Sequence, residues 1–316
     1  MCIAPRIIVN RHYVKLAGSS SEAINIFRGR ADLFLLLDCG RCLPCQRKIQ
    51  NNWRIRLIDE FKYMVARDPD TRMRIFFVTL TIAPKYYVSS DPQYGLKLFK
   101  LFRERYRKLY GCSLRYWVTT EYGEKRGRLH LHAIFFNPLC DATQLPELWK
   151  YGRCDMSVVG YSPKNPDLDP EKGIAYVTTY ITKTVDSWFI NWDERSRHRC
   201  SPGLGLAYCL DPASRKFHNQ SGGIFFRVDE TGKYPMALPR YYVDKLFSPV
   251  DKYRRKMENL HRITSLPVGP FTVGKRIFYD LPSYWRFLRS IGGTPVLTSD
   301  QFDCLSDELK NIYLYE

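Results

Sequence analysis

The amino-acid sequence predicts an α+β fold built on an antiparallel β-sheet. Residues 75–82 are rich in β-branched and aromatic side chains and stop before Pro84, a pattern typical of a strand. Residues 116–121 and 129–136 then predict a hairpin, joined by the Gly/Lys/Arg loop 123–128. These three strands would form the centre of the sheet.

Helical periodicity separates and follows these strands. Apolar side chains recur at helical spacing in 46–66 and 96–109, and Gly111 closes the second of these helices. A third helix is predicted over 171–186, after a loop rich in Pro and Asp at 162–170. Because strands, helix, hairpin and helix follow one another in this order, we expect an antiparallel sheet with helices on one face.

The composition favours a nucleic acid as partner. The chain of 316 residues carries 49 Lys and Arg against 32 Asp and Glu, a formal net charge of +17, together with 22 Tyr, 18 Phe and 6 Trp. Positive charge attracts a polyanion through the release of counterions, and aromatic rings stack on unpaired bases. A membrane surface or simple solubility would also use positive charge, but the aromatic side chains that accompany it favour nucleic acid.

The same sequence argues against a membrane or secreted protein. No apolar run is long enough to cross a bilayer, and residues 1–10 lack the charged start and long apolar core of a signal peptide. Of the ten cysteines, only Cys39, Cys42 and Cys45 cluster, so a secreted disulfide framework is not expected. We therefore expect a protein of a reducing cytoplasm.

His130 and His132 alternate with leucines along the predicted strand, so both imidazoles should lie on one face of the sheet. Glu121 ends the preceding strand, and the short connection would bring its carboxylate across from the histidines. Two imidazoles and a carboxylate form a mixed nitrogen and oxygen site that suits Mg²⁺ or Mn²⁺ polarising a phosphate. The alternative is a pair of exposed strand histidines that bind nothing.

Tyr176 and Tyr180 lie one turn apart in the predicted helix, and Lys183 follows three residues after Tyr180. Tyrosine is a weak nucleophile that needs a polarised phosphate or a nearby cation in order to attack, and Lys183 would supply such a cation. The alternative is that both rings only pack against the sheet.

Two further groups of residues complete the candidate sites. Cys39, Cys42 and Cys45 have the spacing of a metal knuckle, and with Cys2 or a later cysteine they would bind a structural Zn²⁺. The alternative is three small buried thiols around a tight turn. The loop just before the histidine strand is basic, and we expect it to contact DNA phosphates through Lys125, Arg126 and Arg128.

Taken in order, the motifs at residues 77–82, 128–132 and 176–183 resemble those of the HUH endonucleases of rolling-circle replication. These motifs are an FxLT-like strand, an HxH strand and a YxxK helix. Residues 39–45 and 238–247, with the sequences CGRCLPC and LPRYYVDKLF, add a closer resemblance. They are similar to the replication initiation proteins of gokushovirus-like phages of the Microviridae, and the similarity runs from residue 2 to about residue 247.

This resemblance implies roles for the candidate residues. Glu121, His130 and His132 would be the metal ligands, and a tyrosine would become joined to a DNA 5′ phosphate. Relatives with two tyrosines often carry the pattern YxxKYxxK, whereas Thr179 stands here in place of the first lysine. Tyr180 alone keeps the full YxxK context and is expected to attack first, with Tyr176 as the second candidate.

The resemblance implies a rolling-circle replication initiator that nicks and rejoins single-stranded origin DNA through a 5′-phosphotyrosine intermediate. An HUH core at 71–190 would follow an N-terminal segment with the cysteine cluster at 1–70 and precede a basic, aromatic-rich region at 191–316. Host DNA polymerase and helicase would be its partners in the cytoplasm of the infected bacterium, since the sequence has no GxxxxGK[ST] nucleotide-binding loop. The alternatives are a transposase or plasmid relaxase of the same superfamily, and a non-catalytic single-stranded DNA-binding protein with a zinc knuckle.

Overall fold

The chain divides into two compact units in a computed structural model. One unit, here called the cysteine unit, comprises residues 1–45, 187–189 and 247–316; the other, here called the sheet unit, comprises 46–186 and 190–246. The structure describes residues 6–30, 33–123, 128–161, 169–182, 196–220, 226–228, 235–255, 270–273, 275–293, 295, 297 and 306–315. The division into 1–70, 71–190 and 191–316 stays a prediction about the regions of the sequence.

The described strands and helices follow one another in chain order. The strands are β1 (Arg6–Val9), β2 (Phe34–Leu37), β3 (Ile75–Thr81), β4 (Arg115–Tyr122), β5 (Leu129–Phe136), β6 (Cys154–Val158), β7 (His198–Cys200), β8 (Phe226–Val228), β9 (Pro235–Ala237), β10 (Phe271–Val273) and β11 (Arg276–Phe278). The helices are α1 (Arg11–Ala17), α2 (Ser20–Ile26), α3 (Leu43–Arg67), α4 (Pro92–Tyr110), α5 (Leu145–Trp149), α6 (Pro170–Thr178), α7 (Leu206–Leu210), α8 (Pro212–His218), α9 (Arg240–Leu246), α10 (Leu281–Ser290) and α11 (Asp307–Tyr315).

A five-stranded antiparallel sheet forms the centre of the sheet unit. Its strands lie in the order β6-β3-β5-β4-β7, so the predicted strand and hairpin are the three central strands. The edge strands β6 and β7 were not predicted. The predicted fold class, α+β with a central antiparallel sheet flanked by helices, is confirmed.

Helices cover both faces of this sheet, so the expectation of helices on one face was wrong. On one face, Leu129, Leu131 and Phe135 of β5 pack with apolar side chains of α4 and α5. On the other face, Ile134 and Phe136 pack with apolar side chains of α3 and α6. The reason is that β5 is apolar at both sets of alternate positions over this half of its length, and each apolar face must be covered.

A buried carboxylate ties the long helix α3 to the sheet and to the loop that follows β7. Glu60 is buried, and Arg115 at the start of β4 donates to its Oε1 from Nε at 2.8 Å. The backbone N–H of Gly205 donates to the other oxygen of Glu60 at 2.7 Å. Gly205 has φ +76, and a Cβ there would lie 2.6 Å from the Tyr242 hydroxyl, so the position requires glycine. Residues on both sides of the 75–185 segment thus complete the sheet unit.

The cysteine unit contains smaller clusters. Tyr13, Ala23 and Leu33 form a buried cluster in the segment that contains the β1–β2 pair and α1 and α2. A second cluster joins three cysteines to side chains of β10 and α10. Among the described helices, none combines the length and the apolar character that a membrane span requires.

We predict that Glu60→Ala lowers the free energy of unfolding by about 3 kcal/mol or more, because it leaves the Arg115 guanidinium and a buried backbone N–H without their acceptor. Urea denaturation monitored by circular dichroism would measure the loss. The control is Glu104→Ala, which removes an exposed ion pair with Lys100 and should change stability by less than about 0.5 kcal/mol. Equal stability of both variants would show that the buried carboxylate does not tie the unit together.

Candidate functional site

The face of the sheet under α6 changes from apolar to polar toward one end. In the strand register, His132 of β5 lies between Thr79 of β3 and Thr119 of β4, and His130 lies beside Glu121 of β4. Alternate residues of a strand share a face, so the two histidines and the glutamate lie on the same side of the sheet.

His132 and Glu121 form a buried pair. Nε2 of His132 lies 2.5 Å from Oε2 of Glu121, and Nδ1 of His132 lies 3.3 Å from the hydroxyl of Thr79. Both side chains of the pair are buried. A carboxylate only accepts hydrogen bonds, so Nε2 of His132 carries the proton in this arrangement. The pair holds the imidazole in one orientation on the sheet.

His130 presents its other nitrogen to the surroundings. Its Nδ1 donates to the backbone carbonyl of Arg128 at 2.8 Å, so in the neutral ring the lone pair is on Nε2. Burial lowers the pKa of His130 below the ordinary imidazole value, and this favours the neutral ring that can bind a cation. The ring packs against Gly123, where a Cβ would lie 2.8 Å from Cε1 of His130.

The tyrosines lie at the end of α6, which is shorter than predicted. The α-helix ends at Thr178, and Tyr180 falls in a 3₁₀ turn over Thr179–Ile181. The hydroxyls of Thr178 and Thr179 donate to the carbonyls of Ala175 and Tyr176 at 2.8 and 2.6 Å. Threonine side chains that bond to the preceding turn compete with regular helical geometry, which accounts for the tightened end. Residues 183–186 of the predicted helix lie outside the described residues.

Tyr180 covers the buried histidine. The two rings are stacked at an angle of 16° with their centroids 3.9 Å apart, and Phe77 lies nearly parallel to both. Tyr180 is 8% exposed whereas Tyr176 is 59% exposed, yet their hydroxyl oxygens are only 3.1 Å apart. Burial, together with the hydrogen bond from Tyr176, raises the pKa of Tyr180 above the ordinary phenol value. The two hydroxyls therefore converge beside the histidine pair.

Two glycines set the position of α6 on the sheet. A Cβ on Gly173 would overlap the backbone nitrogen of Gly160, which follows β6. Gly160 has φ +80, and a Cβ there would overlap the carbonyl oxygen of Asp169. Because neither position has room for a side chain, the start of α6 lies directly against the end of β6, and the tyrosines follow at a fixed distance along the helix.

The remaining predicted site residues are distributed as follows. Arg128 is half-buried at the start of the histidine strand. The four residues that lie outside the described part of the chain are Cys2, Lys125, Arg126 and Lys183.

The structure brings together one close set of metal-binding atoms among the described residues. The sulfur atoms of Cys39, Cys42 and Cys45 all lie within 4.8 Å of one another, and this cluster could bind a metal such as zinc. The donor atoms of Glu121, His130 and His132 are not gathered within that distance. Their chemistry nevertheless fits Mn²⁺ or Mg²⁺, because a carboxylate and a neutral imidazole with a directed lone pair are suitable ligands.

A third histidine lies on the same face and was not singled out from the sequence. His198 of β7 is in register with Thr119, and its Nδ1 lies 2.9 Å from the Thr119 hydroxyl. Its ring is stacked on Trp117 at 6.2 Å and 9°. The sequence offered only a weak signal, because β7 has three residues within a basic run and is too short to show alternation.

The 75–185 segment that contains these elements matches the family described as Replication-associated protein ORF2. The chain carries a replication-associated protein domain. It is 23% identical over 229 residues to the Replication-associated protein ORF2 of Spiroplasma virus 4, which covers 65% of this chain and 65% of that protein. It is 25% identical over 212 residues to the Replication-associated protein ORF4 of Chlamydia phage 1, which covers 57% of this chain and 49% of that protein.

These matches confirm the resemblance to replication proteins of gokushovirus-like phages. The chain spans less than two thirds of the length of either relative. No solved structure matches the chain.

We predict that Gly123→Ala reduces cleavage of an origin strand by about 10- to 100-fold, because the new Cβ forces the His130 ring out of position and small displacements of reacting groups are costly. Stability should change little, since only a side chain must move. The comparison is Gly111→Ala, which strains a residue at φ +69 in open space and should lose about 1 kcal/mol of stability while keeping full activity. Full activity of Gly123→Ala would remove His130 from the site.

Proposed function

We propose that the chain initiates rolling-circle replication by nicking and rejoining single-stranded DNA at an origin through a 5′-phosphotyrosine intermediate. The observation that carries the proposal is the stacking of Tyr180 on His132 at 3.9 Å, with the Tyr176 hydroxyl 3.1 Å from that of Tyr180. Two phenols beside an imidazole and a carboxylate are the parts that a tyrosine strand transferase requires. The printed names of the phage relatives support the assignment to replication.

His130, His132 and Glu121 would bind Mn²⁺ or Mg²⁺. When bound, the cation would polarise the phosphate that is attacked. Binding through Glu121 and His132 would replace the hydrogen bond that now joins them. The bond of His130 to the Arg128 carbonyl would remain and would keep its ring oriented, as the outer partners of metal-binding histidines commonly do.

The bonds exchanged in the proposed reaction balance without a nucleotide cofactor. The hydroxyl oxygen of Tyr180 forms a bond to phosphorus while the bond from phosphorus to the 3′ oxygen breaks. The phenol loses its proton to solvent, and the departing 3′ oxygen takes up a proton. A 5′-phosphotyrosyl link and a 3′-OH result, and the reverse exchange rejoins the strand. Lys183 is proposed to support the attack, and Arg128, Lys125 and Arg126 to contact neighbouring phosphates.

The partners follow from this chemistry. The 3′-OH is a primer for a host DNA polymerase, and strand separation would require a host helicase. Both steps would take place in the cytoplasm of the infected bacterium. A transposase or relaxase would use the same chemistry, and the phage replication proteins among the relatives favour an initiator over these two.

The deciding experiment is incubation of the full chain with a circular single-stranded genome and Mn²⁺, followed by denaturing electrophoresis. A covalent protein–DNA band that requires the metal is expected. Metal-independent binding without such a band would instead favour the non-catalytic DNA-binding protein. Joining of the two ends of a linear element, without circle closure, would favour a transposase.

We predict that His130→Ala lowers the yield of this adduct by roughly 100-fold or more, because the directed Nε2 lone pair is lost. Calorimetric titration with Mn²⁺ should show a parallel loss of affinity. The control is His12→Ala, an exposed histidine of α1 in the cysteine unit, which should change neither quantity. Unchanged cation affinity in His130→Ala would exclude His130 as a ligand.

We predict that Tyr180→Phe removes most of the adduct of the first cleavage, whereas Tyr176→Phe mainly impairs the second transfer that releases a circle. Phenylalanine keeps the ring that stacks on His132, so a loss of activity would not come from lost packing. Peptide mass spectrometry of nuclease-trimmed adducts would identify the modified residue. An adduct found only on Tyr176 would reverse the order, and an adduct on neither would exclude the phosphotyrosine mechanism.

A further inference from the structure

The three cysteines of the CGRCLPC segment have the spacing of thiolates around a tetrahedral ion. The sulfur atoms of Cys39 and Cys45 are 3.9 Å apart, and all three lie within 4.8 Å of one another. Zinc–sulfur bonds of about 2.3 Å in a tetrahedral site place neighbouring sulfur atoms roughly 3.8 Å apart. A disulfide would require about 2.05 Å. The side chains are therefore spaced for a shared ion rather than for oxidation to a bridge.

The local backbone favours the ionised form of these cysteines. The N–H groups of Arg41 and Cys42 donate to Sγ of Cys39 at 3.4 and 3.3 Å. Gly40, with φ +70, makes the turn that directs these two donors at the sulfur atom. Cys45 lies in the first turn of α3, which spans 25 residues, and the positive end of a helix stabilises a thiolate. Each of these features stabilises the charged ligand rather than the neutral thiol.

The cysteines are also the centre of a small core. All three are buried, and they pack with Val273 of β10 and with Phe287 and Leu288 of α10. Strand and helix come from a part of the sequence far beyond the cysteine segment. A cluster of this size buries little apolar surface, and small cores of this kind commonly need a metal or a disulfide to be stable.

We propose that Cys39, Cys42 and Cys45 bind a structural Zn²⁺ that holds β10 and α10 against the N-terminal segment of the cysteine unit. This inference goes beyond the proposed nicking reaction, because it assigns a role in folding to the C-terminal region. The bound ion neutralises the thiolates and fixes the segment against which Val273 and Phe287 pack. The fourth ligand is a donor other than these three cysteines.

The test uses the full chain purified without chelator. Elemental analysis should find about one zinc per chain. Replacement with Co²⁺ should give the visible absorption of a tetrahedral thiolate site together with sulfur-to-cobalt charge-transfer bands in the near ultraviolet. Removal of the metal with a chelator should lower the Tm by on the order of 10 °C. Protection of the amides of β10 and α10 from hydrogen exchange should be lost at the same time.

Cys42→Ser should abolish metal binding and reproduce the loss of amide protection, whereas Cys112→Ser, which changes an exposed thiol, should bind one zinc and keep the Tm. If Cys42→Ser does not fold, chelation of the unaltered chain supplies the same comparison. Purified protein that folds without metal, with an unchanged Tm and unchanged protection after chelation, would overturn the proposal. A disulfide between Cys39 and Cys45 found by mass spectrometry would overturn it as well. Adduct formation with Mn²⁺ tests the tyrosine chemistry independently, so failure of one proposal leaves the other standing.

Discussion

The hydrogen bond between His132 and Glu121 is the contact on which the candidate site depends. Both side chains are buried, so each requires the other as a partner, and a buried charged group left unpaired costs several kcal/mol. The bond exists because β4 and β5 pair in a register that sets Glu121 beside His130. A shift of the register by one residue would turn every side chain of a strand to the other face. The apolar residues at the other end of the same strands hold the register, because Ile134 and Phe136 are fully buried there.

The tyrosine segment depends on the same face of the sheet. Ile174 and Val177 of α6 bury their side chains in the core under α3, and this burial presses the helix onto the strands. The close approach of Gly173 to Gly160 then fixes how far along the sheet the helix begins. From that point the chain reaches Tyr180 after two turns, and the tightened 3₁₀ end rotates its ring over His132. Packing of apolar residues thus sets the position of the polar groups.

Much of this arrangement could be predicted from local patterns. The three central strands follow from runs of β-branched and aromatic residues, and the shared face of His130 and His132 follows from alternation alone. The offset of four residues between Tyr176 and Tyr180 predicts that both point the same way, which agrees with the 3.1 Å between their hydroxyls. In each case the information lies within one element, where period 2 or period 3.6 applies.

Contacts between distant segments could not be predicted in this way. The pairing of Arg115 with Glu60, and of Gly205 with the same carboxylate, joins three separate parts of the chain, and no periodicity records it. The edge strand β7 has only three residues, so its placement comes from hydrogen bonds to β4 rather than from its own composition. Burial of Tyr180 depends on the approach of α6 to the sheet, which two glycines permit but do not announce in a single sequence.

The burial of Tyr180 sets two physical effects against each other in the proposed reaction. A raised pKa reduces the population of phenolate, and each pKa unit costs about 1.4 kcal/mol. Holding a nucleophile in the correct geometry contributes up to roughly 7–11 kcal/mol. The stacked and buried ring of Tyr180 gains most from the second effect, whereas the exposed ring of Tyr176 loses least from the first. Since positioning is the larger quantity, the buried tyrosine is the better first nucleophile. The exposed one is better suited to a second transfer, in which the attached strand must move.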